Sequence, residues 1–261
     1  DSTHEEGHVK DFSKNVLILG GLSIVLFFLA IFAGEVMARL LPYSWEKSWF
    51  GPEQVEVERL LGNEELNKLR DITTKVAAAM DLPDEMDIHI DVLMDKHINA
   101  YALPGGRIFL SDSLLFEMES ENAIAFVIAH EIAHIKHRDG LKKMTGGLII
   151  ATAYNLVTGD LPIFGEQGFL VDFGLLSYNR HQEASADEAA IEAVAEVYGH
   201  VGDADALFKM LQKKFPERDD NSMMMQYMSS HPLDAERIEA IREYAEEHGY
   251  HAEGFLAPFE W

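Results

Sequence analysis

The chain has no cysteine among its 261 residues, which excludes disulfide bridges and thiolate metal sites. Basic residues are scarce: 21 Lys and Arg stand against 45 Asp and Glu, a formal net charge of −24. Such a balance excludes nucleic acid as a partner, since its binding needs Lys and Arg to displace counterions. It equally excludes docking on anionic headgroups through a basic patch. No internal repeat or low-complexity tract is present. What the chain does have is 48% hydrophobic residues, sufficient at this length for one folded domain with an appendage.

The most informative stretch is His130-Glu131-Ile132-Ala133-His134, an HExxH pattern inside the apolar, helix-forming run 123–129. Residues four apart share a helix face, so both imidazoles can reach one metal ion. Glu131 lies beside the first histidine, where its carboxylate can contact a metal-held water as a general base. A catalytic zinc takes three protein ligands, and Glu183 is the candidate for the third. It opens an ExxAD pattern, Glu183 to Asp187, at the start of a second helical run. Asp187, one turn further on the same face, is expected to accept a hydrogen bond from the free N–H of a ligand histidine. The extended HExxHxxGxxH arrangement fails, because Gly and His would be needed at 137 and 140, where His137 and Gly140 stand. His137, with Lys136, Arg138 and Gly140 around it, reads as a helix C-terminus.

Four motifs together resemble a known family. Asn99 to Gly106 (NAYALPGG), His130 to His134, Arg180 to Asp187 (RxxExxAD) and Ser230-His231-Pro232 followed by Glu236-Arg237-Ile238 occur in that order. They resemble the membrane-associated zinc metallopeptidases of the HtpX and CAAX-prenyl-protease type, and within them the BepA-like branch with a soluble catalytic domain. The resemblance spans about residues 55 to 245. It implies one zinc ion per chain held by His130, His134 and Glu183, with Glu131 as the base. It also brings His231 to the metal, either to stabilise the oxyanion or to fill the open zinc position and silence the enzyme. Arg237 is expected to anchor this turn through a carboxylate and to take part in substrate binding.

Between Lys14 and Glu35 run 20 uncharged residues, about 30 Å of helix, the thickness of a hydrocarbon core. Tyr43, Trp45, Trp49 and Phe50 follow where an interfacial aromatic belt is expected. The run is too long, and its leader (Asp1, Glu5, Glu6) too acidic, for a secretory signal. Residues 1–14 are therefore expected to form a tail, 15–38 a single-pass transmembrane anchor, and 39–261 the zinc metallopeptidase domain. Lys10 and Lys14 ahead of the span favour a catalytic domain on the periplasmic or extracytoplasmic side. A second apolar stretch at 148–157 is too short to span a bilayer. It reads as packed core helices or as a membrane-dipping hairpin.

The rest predicts helices over Glu53 to Met80 (with a break at Gly62-Asn63), Gln182 to Tyr198, Ala204 to Phe215 and Asp234 to Glu247. Asp87 to Val92 alternates like a half-buried strand, and Pro104-Gly105-Gly106 turns a hairpin. Ser120 is placed as N-cap of the HExxH helix. The expected class is α+β: a mainly helical, zincin-like domain with a small antiparallel sheet, preceded by one transmembrane helix. The hairpin is either an ordinary core element or the open edge that takes an extended substrate as an added strand, with Asn99, Ala100 and Tyr101 as substrate-binding residues. His89 and His97 read as ordinary histidines, and Met223 to Met228 as core or lid. Hydrolysis of unfolded, membrane or envelope proteins is the expected function. A membrane-tethered chaperone or assembly factor with a normally closed protease site is the alternative.

Overall fold

The computed structural model describes residues 18, 20–22, 24–25, 28–29, 32–50, 63–145, 178–214, 230–231 and 235–259. The expectations for 148–157, for the Met-rich 223–228 and for the helix before residue 63 fall outside these residues. Two compact units divide the chain: residues 1–41 with 141–163, and residues 42–140 with 164–261. In the first unit, residues 32–40 are helical, and Thr145 Oγ1 lies 3.0 Å from the Gly34 carbonyl. Among the described residues no helix is long and apolar enough to cross a membrane. The anchor expected over 15–38 lies in part outside them.

The second unit runs α1 (Tyr43–Phe50), α2 (Asn63–Ala79), β1 (His89–Leu93), β2 (Ala100–Leu103), β3 (Arg107–Ser111), α3 (Asp112–Leu115), α4 (Glu121–Lys136), α5 (Arg180–Tyr198), α6 (Ala206–Lys214) and α7 (Ala235–Glu247). It is mainly helical with one small sheet, the expected α+β class. The sheet differs from expectation in being mixed, not antiparallel. β2 and β3 form the predicted antiparallel hairpin, Ala100 facing Leu110 and Leu103 facing Arg107. β1 pairs with β3 in parallel, His89 facing Arg107, so the order is β1-β3-β2. A strand that pairs with the next-but-one strand in sequence leaves no hairpin signal, and only the local alternation of β1 was readable. The turn depends on Gly106, whose φ is +93° and whose position would put an added Cβ 2.0 Å from the Asp87 carbonyl oxygen. No side chain fits there.

α4 is the hub of the core. Ser120 caps it as predicted, its side chain accepting from Ala123 N, and every residue from Asn122 to Ile135 is buried. A helix apolar all round must be enclosed, and α4 packs against α2, α5, α6, β2 and β3. Small residues are among the most buried of α4 and α5: Ala125, Ala129 and Ala133 on α4, and Ala186, Ala190 and Ala193 on α5, are all within 1% of full burial. A capping box of Asn179 and Gln182 starts α5, which places Glu183 in its first turn.

After α7 the chain passes the start of α4 and the segment that follows α5. Val201 N donates to His251 O (2.8 Å), Glu121 N to Ala257 O (2.9 Å) and Phe259 N to Glu119 O (3.0 Å). His200 sits beneath this strap, its Nε2 3.1 Å from Phe255 O. A Cβ on Gly254 would meet the His200 ring at 2.0 Å. Gly254→Ala is therefore expected to cost about 1–3 kcal/mol by overpacking, read as a lowered melting temperature. An unchanged melting temperature would show that the strap is not seated on His200.

Candidate active site

α4 and α5 carry the candidate residues on facing surfaces, and the chain around 230 closes over them. His130 Nε2 lies 3.1 Å from His134 Nε2 and 3.3 Å from His231 Nδ1. Glu183 Oε1 lies 3.3 Å from His134 Nε2 and 3.1 Å from His231 Nδ1. All four residues are buried, with one ligand-capable atom each within 4.8 Å of the others. A tetrahedral zinc with bonds of about 2.0–2.1 Å has ligand–ligand edges of about 3.3–3.4 Å. Four of the six edges here are 3.1–3.3 Å, so the donor set and its spacing fit such an ion. His231 stands at the fourth vertex.

Outer partners orient the ring nitrogens that do not face the cluster. His130 Nδ1 lies 2.9 Å from Asp187 Oδ1. His134 Nδ1 lies 3.0 Å from Asp139 Oδ2, a partner that the sequence reading missed. Asp139 is 1% exposed and reaches His134 because Arg138 adopts a left-handed φ of +57° just after the α4 C-cap. Removing such a partner loosens metal affinity about 10–100-fold. Asp139→Asn is expected to fall in that range in competition against a zinc chelator, and unchanged affinity would deny Asp139 the role.

Arg237 is buried and turned toward the carboxylates of the cluster. Its Nε and Nη2 bind Asp187 at 2.5 and 2.8 Å, Nη1 pairs with Glu183, and its guanidinium lies 5.1 Å over the Phe208 ring. All three nitrogens thus serve the site's own carboxylates, so the expected anchoring through a carboxylate is what the geometry contains. Tyr178 was also missed. Its ring stacks on His134 at 3.7 Å and 8°, and its N–H donates to Ser230 O at 2.8 Å, which ties the His231 turn to the start of α5.

Glu131 is fully buried, and among the described residues neither carboxylate oxygen has a hydrogen-bond partner. His231 Nε2 is 3.5 Å from its Oε1. Burying a carboxylate without partners is costly, so this group is placed for a ligand that completes the site. The surrounding field favours cations. Burial alone would raise the Glu183 carboxyl, but His231, His134 and His130 hold it well below the usual carboxylate range. Burial lowers His134, yet Asp139 and Glu183 outweigh it and push the ring up to about 9. For His130 burial wins, and the ring sits below its ordinary value.

Asn99, Ala100 and Tyr101 belong to the hairpin rather than to this cluster. Asn99 is fully buried, with its N–H donating to Ser111 Oγ at 2.9 Å and its Oδ1 accepting from Ala100 N at 2.9 Å. Ala100 is fully buried and Tyr101 half-buried. β2 is nonetheless an outer strand of the sheet, and it packs on α4.

The chain is similar to several known proteins. The chain is 27% identical over 160 residues to the mitochondrial metalloendopeptidase OMA1 of Schizosaccharomyces pombe, covering 60% of this chain and 47% of that one. It is 29% identical over 171 residues to a putative beta-barrel assembly-enhancing protease of Vibrio cholerae (60% and 34%). A CAAX prenyl protease 1 homolog of Arabidopsis thaliana is 27% identical over 203 residues (66% and 47%). The chain thus spans less than half the length of these relatives. The profile of peptidase family M48 matches residues 63–245, the stretch that holds the hairpin, both motif helices and the His231 turn, and the chain belongs to that family.

Proposed function

We propose that this chain is a zinc metalloendopeptidase, anchored to a membrane through residues 15–38, that acts in quality control of membrane or envelope proteins. The observation that carries the reading is the buried set of His130, His134 and Glu183 atoms at zinc-sized spacing, beside the Glu131 carboxylate, which has no hydrogen bond among the described residues. The relatives' names, metalloendopeptidase and assembly-enhancing protease, support the same chemistry. Ile18, Ile24, Phe28 and Phe32, each 56–64% exposed, support a lipid-facing segment. Lys10 and Lys14 favour an extracytoplasmic catalytic domain.

Zinc bound in this cluster supplies a Lewis acid and lowers the pKa of a water from about 15.7 to about 7. The protein does the rest. Asp187 and Asp139 lie 2.9 and 3.0 Å from the Nδ1 atoms of His130 and His134 and orient the two rings so that each Nε2 would face the ion. A Glu131 carboxylate oxygen takes the proton from the attacking water and delivers it to the leaving amine nitrogen. The outer edge of β2 aligns the extended substrate as an added strand beside α4.

His231 at the fourth vertex favours a second reading, a chaperone or assembly factor whose protease site is held shut. The two readings part on His231→Ala, with cleavage of casein and zinc content both measured. Faster cleavage at unchanged zinc means that the imidazole closes the site. Slower cleavage means that it stabilises the oxyanion, and the closed-site reading falls.

A further inference from the structure

Helix α1 plays no part in the chemistry, yet it is held more firmly than a linker requires. Glu46 is 2% exposed, whereas Trp45 and Trp49 on the same helix are 51% and 57% exposed. The Glu46 carboxylate is ion-paired with Arg138 and accepts from the Gly105 backbone. Lys47 Nζ meets Asp87 Oδ2 at 2.5 Å, and Tyr43 packs against the core beside Gly106. One side of α1 therefore grips both the turn of the β2–β3 hairpin and the residue between the α4 C-cap and Asp139. Trp45 and Trp49, four residues apart and 5.7 Å between ring centroids, form a separate outward face. Phe50 stands edge-on to Trp49 at 6.4 Å.

We propose that α1 is a membrane foot: Trp45 and Trp49 seat in the headgroup–acyl boundary of a phospholipid bilayer, while Glu46 and Tyr43 clamp the catalytic unit onto it. The occupant follows from two observations. α1 begins nine residues after Gly34, the end of the uncharged run, and amphipathic indoles partition to that depth. Both charged residues of the helix are already paired within the protein, so the foot needs no anionic lipid. The clamp fixes the height and tilt of the β2 edge over the membrane surface. The inference rests on residues 15–38 being the anchor.

The chain has three tryptophans, so a Trp261→Phe background leaves Trp45 and Trp49 as the only reporters. The full chain is reconstituted into phosphatidylcholine vesicles and first tested by flotation after an alkaline carbonate wash. Retention followed by a blue-shifted emission, quenched more by lipids brominated near the headgroup than near the chain end, is the expected result. Retention with unshifted, unquenched emission overturns the foot and leaves the anchor standing. Loss of the protein from the vesicles overturns both. Glu46→Ala should keep the quenching but lower the fluorescence anisotropy of the pair; unchanged anisotropy overturns the clamp.

Discussion

Glu131→Gln is expected to bind zinc as the wild type does and to lose peptide hydrolysis by about 10²–10⁴-fold. The substitution keeps the side chain's shape and removes its ability to take a proton. Structural disturbance should be small, because neither Glu131 oxygen has a hydrogen bond to a described residue. Its contact with His231 Nε2, at 3.5 Å, is long enough for an amide to replace. Glu131 also does not belong to the four-residue ligand cluster, so affinity and stoichiometry for the metal should hold. The two effects must separate: a variant that loses zinc along with activity would make Glu131 structural, and a variant that keeps activity would remove it as the base.

The second large effect belongs to stability. Arg237 is 8% exposed and binds two buried carboxylates, Asp187 and Glu183. Removing one partner of a buried ionic network leaves uncompensated charge and costs about 3–5 kcal/mol. Arg237→Met, with a similar length and no charge, should therefore lower the melting temperature of the metal-free protein by roughly 10 °C. Added zinc should recover part of the loss, since a cation in the cluster replaces positive charge beside Glu183 and binds only the folded state. A metal-free Arg237→Met protein as stable as the wild type would mean that the carboxylates are not held as ions.

The candidate site was legible where its chemistry follows helical spacing. His130 and His134 are four apart on one helix, Glu183 and Asp187 four apart on another, and each pair shares a face whatever the rest of the fold does. α4 and its Ser120 cap, the hairpin with its Pro104-Gly105-Gly106 turn, and α5 and α7 to within two residues at each end, were readable for similar local reasons. Asp139 was not. It reaches His134 only because Arg138 takes a left-handed conformation after the helix ends, and no residue preference announces that. Tyr178 and Glu46 act across large separations in sequence, as does the parallel pairing of β1 with β3. Arg237 shows the limit in another way. Its side chain was recognisable as important, but only the packing of α7 against α5 decides that its nitrogens serve Asp187 and Glu183.

Metal content and casein cleavage, measured side by side on purified wild type and Glu131→Gln, test the central claim most directly. One zinc per chain in both, with cleavage by the wild type alone, is the expected result. Absence of zinc from the wild type, or equal cleavage by the two proteins, would contradict a zinc peptidase built on His130, His134, Glu183 and Glu131.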